Sequence, residues 1–180
     1  VNRMNNRLTE RARLALAHSE RFARERQSEY IGTEHMLQGL FAVEDGLAAR
    51  ILNELRLSAD VLAEAIDDEN NGAPQSSVFR GFSPRAKRAL LLAVEAAQQM
   101  GMGFVDTEHL LIGLAAEEEG MASHWLLDMA DADARRIRQM LLQMIQQGGG
   151  MGEEAAEITG EHCPAERGRR ASKTPTLDKF

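Results

Sequence analysis

The 180 residues suffice for one ordinary domain or two small ones sharing a core, and 43% hydrophobic with 27% charged side chains describe a soluble globular chain. With 21 Lys and Arg against 28 Asp and Glu, the net charge of −7 opposes nucleic acid, and the one dense basic run, 167–170, sits in an aperiodic stretch. A single cysteine, Cys163, excludes an intramolecular disulfide, no run approaches the ~18–20 apolar residues of a membrane span, and "VNRMNNRL" lacks a signal peptide's apolar core; a cytoplasmic protein is expected.

In chain order, Thr9 is the expected N-cap of a helix over "ERARLALAHSERFARER", with Leu14, Ala15, Phe22 and Ala23 at helical spacing. A second helix starts at Thr33, read as its N-cap, and closes after Leu40. Gly46 breaks the chain before a third helix, "LAARILNEL", and a fourth follows Ser58. The polar linker "DDENNGAPQSSVFRG" then leads to Ser83, with Pro84 at the first position of the next helix. Thr107, again read as an N-cap, opens a helix that closes after Leu114. Gly120 precedes "MASHWLLDM", and the last helix follows Asp131. Strand signals are nearly absent, so the fold class is all-α.

The two sets are copies. Sliding the chain by 74 positions superimposes Leu8–Ile66 on Phe82–Met140 without a gap. Arg11 falls on Arg85, Ala15 on Ala89, Thr33-Glu34-His35 on Thr107-Glu108-His109, Gly39 on Gly113 and Gly46 on Gly120. Two superimposed helical patterns would match apolar classes by chance, but not a Thr-Glu-His triplet and two glycines. The expected domain spans residues 6–147, with repeats at about 8–66 and 82–140. Residues 148–180, rich in Gly and charge, read as a flexible linker.

Thr-Glu-His, occurring twice, invites a chemical reading that its spacing removes. Helical di-metal sites use Glu-x-x-His, whereas adjacent Glu34 and His35 point about 100° apart around a helix. No Ser or Cys nucleophile motif accompanies the pair, and no phosphate-binding G-x-x-x-x-G-K-[ST] loop exists. A structural role accounts for Thr and His through capping and backbone hydrogen bonds. The glutamates are less well explained, because a carboxylate beside another helix's N-terminus can take a cation while the N–H groups take an anion.

"GTEHMLQGLFAVEDGLAARIL", "FSPRAKRALLLAVEAAQQMG" and "DTEHLLIGLAAEEEGMA" resemble the double Clp N-terminal repeat of Hsp100/Clp AAA+ ATPases of the ClpC type, over about residues 8–147. The ending "SKTPTLDKF" is similar to the ClpC linker entering the first ATPase module, which would lie outside this sequence. The resemblance implies an all-α domain of eight helices in two pseudo-twofold related four-helix repeats. It implies a non-catalytic, cofactor-free segment that docks protein substrates and adaptor proteins for ATPase modules using ATP and Mg, and for a ClpP-like peptidase. Oligomerisation then belongs largely to those modules, and the isolated segment is expected to be monomeric. Some ClpC relatives recognise phosphoarginine once per repeat. The matching positions here are Glu34 and Glu108 for the guanidinium, with Thr9 and Ser83 for the phosphate. Leu8 stands where the family often has an aromatic, and Asp106 replaces the glycine that Gly32 retains, so the two sites are expected to differ. A free-standing Clp-repeat adaptor or regulator without an ATPase stays open as the alternative.

Overall fold

A computed structural model describes residues 7–148, and among them lie eight α-helices and no strand. They are α1 Glu10–Glu25, α2 Thr33–Ala42, α3 Leu47–Glu54, α4 Ala59–Glu69, α5 Pro84–Gln99, α6 Thr107–Ala116, α7 Met121–Ala130 and α8 Ala134–Gly148. Residues 7–141 belong to one compact unit holding both repeats, and α8 continues past its boundary. The expected linker after Gly148 lies outside the described residues. No described helix is long and apolar enough to cross a membrane.

The first helix of each repeat starts as its cap residues dictate. The Thr9 hydroxyl accepts the Ala12 N–H and the Ser83 hydroxyl the Ala86 N–H, both at 3.1 Å, and Pro84 occupies the first turn of α5. Their buried faces are made mostly of small residues: Ala12, Ala15, Ser19 and Ala23 in α1, and Ala86, Ala89, Ala93, Ala96 and Ala97, beside Leu90, in α5. Leu14, placed on the apolar stripe by spacing, is 49% exposed. The reason is the closeness of the helix crossing. A Cβ on Gly39 would collide with the Ala15 carbonyl oxygen, and one on Gly113 with that of Ala89, so α2 and α6 press glycine against a stripe only small side chains permit.

Helices α2 and α6 form the centre. Met36, Leu37 and Leu40 from one and Leu110, Leu111, Ile112 and Leu114 from the other are buried, each worth about 1.5–3 kcal/mol of apolar transfer. Around them the repeats share partners. The third helix of each half packs on the second helix of the other as well as on its own, α3 on α6 and α2, and α7 on α2 and α6. The strands of chain entering the helices cross over too. Leu8 forms a parallel bridge with Val105, and Phe82 one with Ile31.

Two readings from the sequence change. Thr33 and Thr107 are the first helical residues and not N-caps; Gly32 and Asp106 occupy the cap positions, both with extended backbone. The 74-residue register also fails after the third helix. Ser58 caps α4 by accepting the Val61 N–H, while Asp133, 75 residues on, caps α8 by accepting that of Arg136. The left-handed residues ending the third helices, Arg56 and Asp131, are likewise 75 apart, so α7 has absorbed one extra residue.

Candidate functional site

Each Thr-Glu-His divides into three separate tasks. The His35 Nδ1 accepts the Gly32 N–H at 3.0 Å, and the His109 Nδ1 accepts the Asp106 N–H at the same distance. Each histidine thus takes the place of the Glu or Gln that closes a capping box three residues into a helix. An accepting Nδ1 puts the proton on Nε2 and keeps the ring neutral. Burial, aided by Arg26, pushes His35 down to about 4, and burial lowers His109 as well. The expectation that these imidazoles satisfy nearby backbone is met.

The threonines act across the repeat boundary. The Thr33 Oγ1 accepts the Ala122 N–H at 3.3 Å, and the Thr107 Oγ1 accepts that of Ala48 at 3.4 Å. Helices α3 and α7 have glycine caps, Gly46 and Gly120, with no side chain to offer. A Cβ on either glycine would lie 2.7 Å from the visiting hydroxyl oxygen, so the glycines make room for a cap supplied by the other half.

The glutamates meet the helix starts in a crossed arrangement. Glu34 and Ser83 line one cleft of about 270 Å³, together with Tyr30, His35, Arg85 and Gly120. Glu34 comes from the first repeat, while Ser83 and Arg85 come from the second. The Glu34 carboxylate curls back over Gly32, where a Cβ would collide with it. It is half-buried, and desolvation raises its pKa against the opposing pull of its own backbone N–H and Arg26. The Arg85 guanidinium stands 4.0 Å from Glu119 and is 61% exposed. The His35 Nε2 has no hydrogen-bond partner among the described residues.

The other pair brings Thr9 of the first repeat to the α6 terminus of the second, and here the arrangement differs. Asp106 accepts the Thr9 hydroxyl at 2.8 Å and the Thr107 N–H at 2.7 Å through the same Oδ1. Because Asp106 has the Cβ that Gly32 lacks, Glu108 cannot fold back over the cap residue as Glu34 does. It is only 7% exposed and lies 3.5 Å from the Thr107 hydroxyl. Burial first, then the Asp106 charge, push its pKa up to about 7. Arg11, the counterpart of Arg85, pairs with Asp45 at 3.1 Å.

Of the four candidate residues, Glu34 and Ser83 line one cleft, whereas Thr9 is bonded to Asp106, two residues before Glu108. Tyr30 and Arg85 were missed as cleft residues. Arg85 carried a signal, since it repeats Arg11, but repetition alone did not say which half it serves. Trp125 is half-buried on α7, and His124 beside it is exposed. Among the described residues no group of three or more His, Cys, Asp or Glu could hold a metal ion.

Residues 7–129 match the family model for the Clp repeat (R) N-terminal domain. The chain is 36% identical over 179 residues to an ATP-dependent Clp protease ATP-binding subunit ClpA homolog of Porphyra purpurea, covering 98% of this chain and 20% of that protein. It is 32% identical over 177 residues to the negative regulator of genetic competence ClpC/MecB of Bacillus subtilis, covering 98% of this chain and again 20% of the relative. The chain thus spans about a fifth of the length of these relatives. Its fold is that of the N-terminal domain of the chaperone ClpD from Arabidopsis thaliana, with a TM-score of 0.63 at 23% identity over 78% of this chain and 96% of that one. Matched along most of its length by the family model and nearly end to end by these relatives, the chain belongs to the Clp repeat N-terminal domain family.

Proposed function

We propose that this chain is the substrate- and adaptor-docking domain of a ClpC-like protein unfoldase serving ATP-dependent proteolysis or protein quality control, and that it recognises phosphoarginine-marked proteins. In this reading the domain is a non-catalytic cytoplasmic binding module. ATP, Mg and contact with a ClpP-like peptidase belong to the rest of a longer chain. Glu34 is the guanidinium ligand and Ser83, at the start of α5, the phosphate ligand of one half-site, and Glu108 and Thr9, at the start of α1, are the corresponding residues of the other.

The observation that carries the reading is the juxtaposition of Glu34 and Ser83 in one cleft, although 49 positions of sequence separate them. A phosphorylated guanidinium has a cationic plane and an anionic end a few ångströms apart. The plane suits a carboxylate in bidentate contact, and the anionic end suits a helix N-terminus with a hydroxyl at the cap. Arg85, projecting from the first turn of α5, adds positive charge on the phosphate side.

The test is a titration with a phosphoarginine-bearing peptide, using the unphosphorylated peptide as control. Glu34→Ala is expected to weaken binding by tenfold or more, roughly the worth of a hydrogen bond to a charged group. Unchanged affinity in Glu34→Ala with Glu108→Ala would refute the reading.

A further inference from the structure

The two halves of this domain differ at the residue that caps their second helix. In the first, the cap residue Gly32 contributes no side chain, the Glu34 carboxylate lies over it, and a cleft opens toward Ser83. In the second, the cap residue Asp106 places a carboxylate at the corresponding spot. Its Oδ1 takes up both the Thr9 hydroxyl and the Thr107 N–H, at 2.8 and 2.7 Å. Those donors belong to the α1 cap and the α6 terminus, where an incoming anion would seek partners.

We propose that Asp106 is a built-in anion that holds the phosphate side of the second half-site, so that the chain takes one phosphorylated guanidinium, at the Glu34–Ser83 cleft. This rests on the phosphoarginine reading above and adds which half does the binding and what disables the other. The physical reasons are steric and electrostatic together. A phosphate entering beside Thr9 would have to displace a carboxylate from two hydrogen bonds. It would then stay close to that carboxylate, a repulsion that water screens poorly at a part-buried site. Glu108 is also unfit for its share: it is more buried than Glu34, and the Asp106 charge beside it favours its neutral form, which pairs weakly with a guanidinium. Chain geometry permits the alternative state. The Asp106 backbone, at φ −109°, ψ −177°, is close to that of Gly32, at φ −89°, ψ 175°, so a glycine or serine fits there without strain.

Calorimetric titration of the 180-residue chain with a phosphoarginine peptide reads the stoichiometry directly. One equivalent is expected for the unaltered chain and two for Asp106→Gly. Asp106→Ser, which retains a short helix cap, guards against a folding defect in the glycine variant and is also expected to give two. Adding Glu108→Gln to Asp106→Gly should return the count to one. The reciprocal change, Gly32→Asp, is expected to abolish binding by pushing the Glu34 carboxylate aside. Two equivalents in the unaltered chain, or a count that stays at one in both Asp106 variants, would overturn the role of Asp106 and leave the phosphoarginine reading standing. Absence of binding in the unaltered chain and in every variant would remove that reading and the inference with it.

Discussion

A histidine that accepts a backbone hydrogen bond through Nδ1 inside a folded core must stay neutral, and His35 meets that condition with its pKa near 4 against an ordinary 6.5. The unfolded chain takes up the proton first as pH falls. The stability from this group is therefore complete above about pH 6.5 and is lost as pH drops toward 4. Glu108 works in the opposite sense. Its folded pKa of about 7 lies above the ordinary 4.5, so it favours the folded state below about 4.5 and that contribution disappears as pH rises to 7. In the unaltered chain the two partly cancel. His35→Gln keeps a side-chain acceptor at the third helical position while removing the titration. Urea unfolding at pH 7.5 and 4.5 should show this variant losing on the order of 2 kcal/mol less on acidification than the parent. Equal losses would mean that His35 carries a proton in the fold.

At the level of helices, the α3 and α7 N-termini depend on a hydroxyl from the opposite repeat. Thr33→Val preserves shape but removes the acceptor for the buried Ala122 N–H, and should cost about 1 kcal/mol, the usual worth of a lost cap. Thr33→Ser should recover most of it, as measured by the urea midpoint. If Thr33→Val matches the parent, the cross-repeat cap contributes nothing. The sequence held a clue to this exchange that local reading passed over. Gly46 and Gly120 stand before helices that open with Leu47 and Met121, so neither helix has a capping side chain of its own. Thr33 and Thr107, meanwhile, sit one position too late to cap their own helices. Two uncapped helices and two spare hydroxyls match only when the halves are exchanged, and one-dimensional spacing does not show that.

For the whole molecule, the duplication was readable because identities such as Thr33-Glu34-His35 with Thr107-Glu108-His109 have no other economical origin, and helix existence followed from caps at Thr9, Ser83 and Ser58. The crossing of the halves was not readable, since Leu8 pairs with Val105 and Ile31 with Phe82 through backbone groups every sequence has. All four candidate residues could be named from the resemblance, but that Ser83 of one repeat shares a cleft with Glu34 of the other depends on that crossing. The departure at Asp106 was visible as an added charge, whereas its hydrogen bond to Thr9 requires the fold.

The central claim is that the binding unit is Glu34 with Ser83, one residue from each repeat. A double-mutant cycle with a phosphoarginine peptide tests it most directly, comparing Glu34→Ala with Ser83→Ala and, as the alternative pairing, Glu34→Ala with Thr9→Ala. Residues that grip one ligand should be coupled, by about 0.5 kcal/mol or more, for Glu34 with Ser83, while Glu34 and Thr9 should add independently. Coupling of Glu34 to Thr9, with Ser83 independent, would contradict the account.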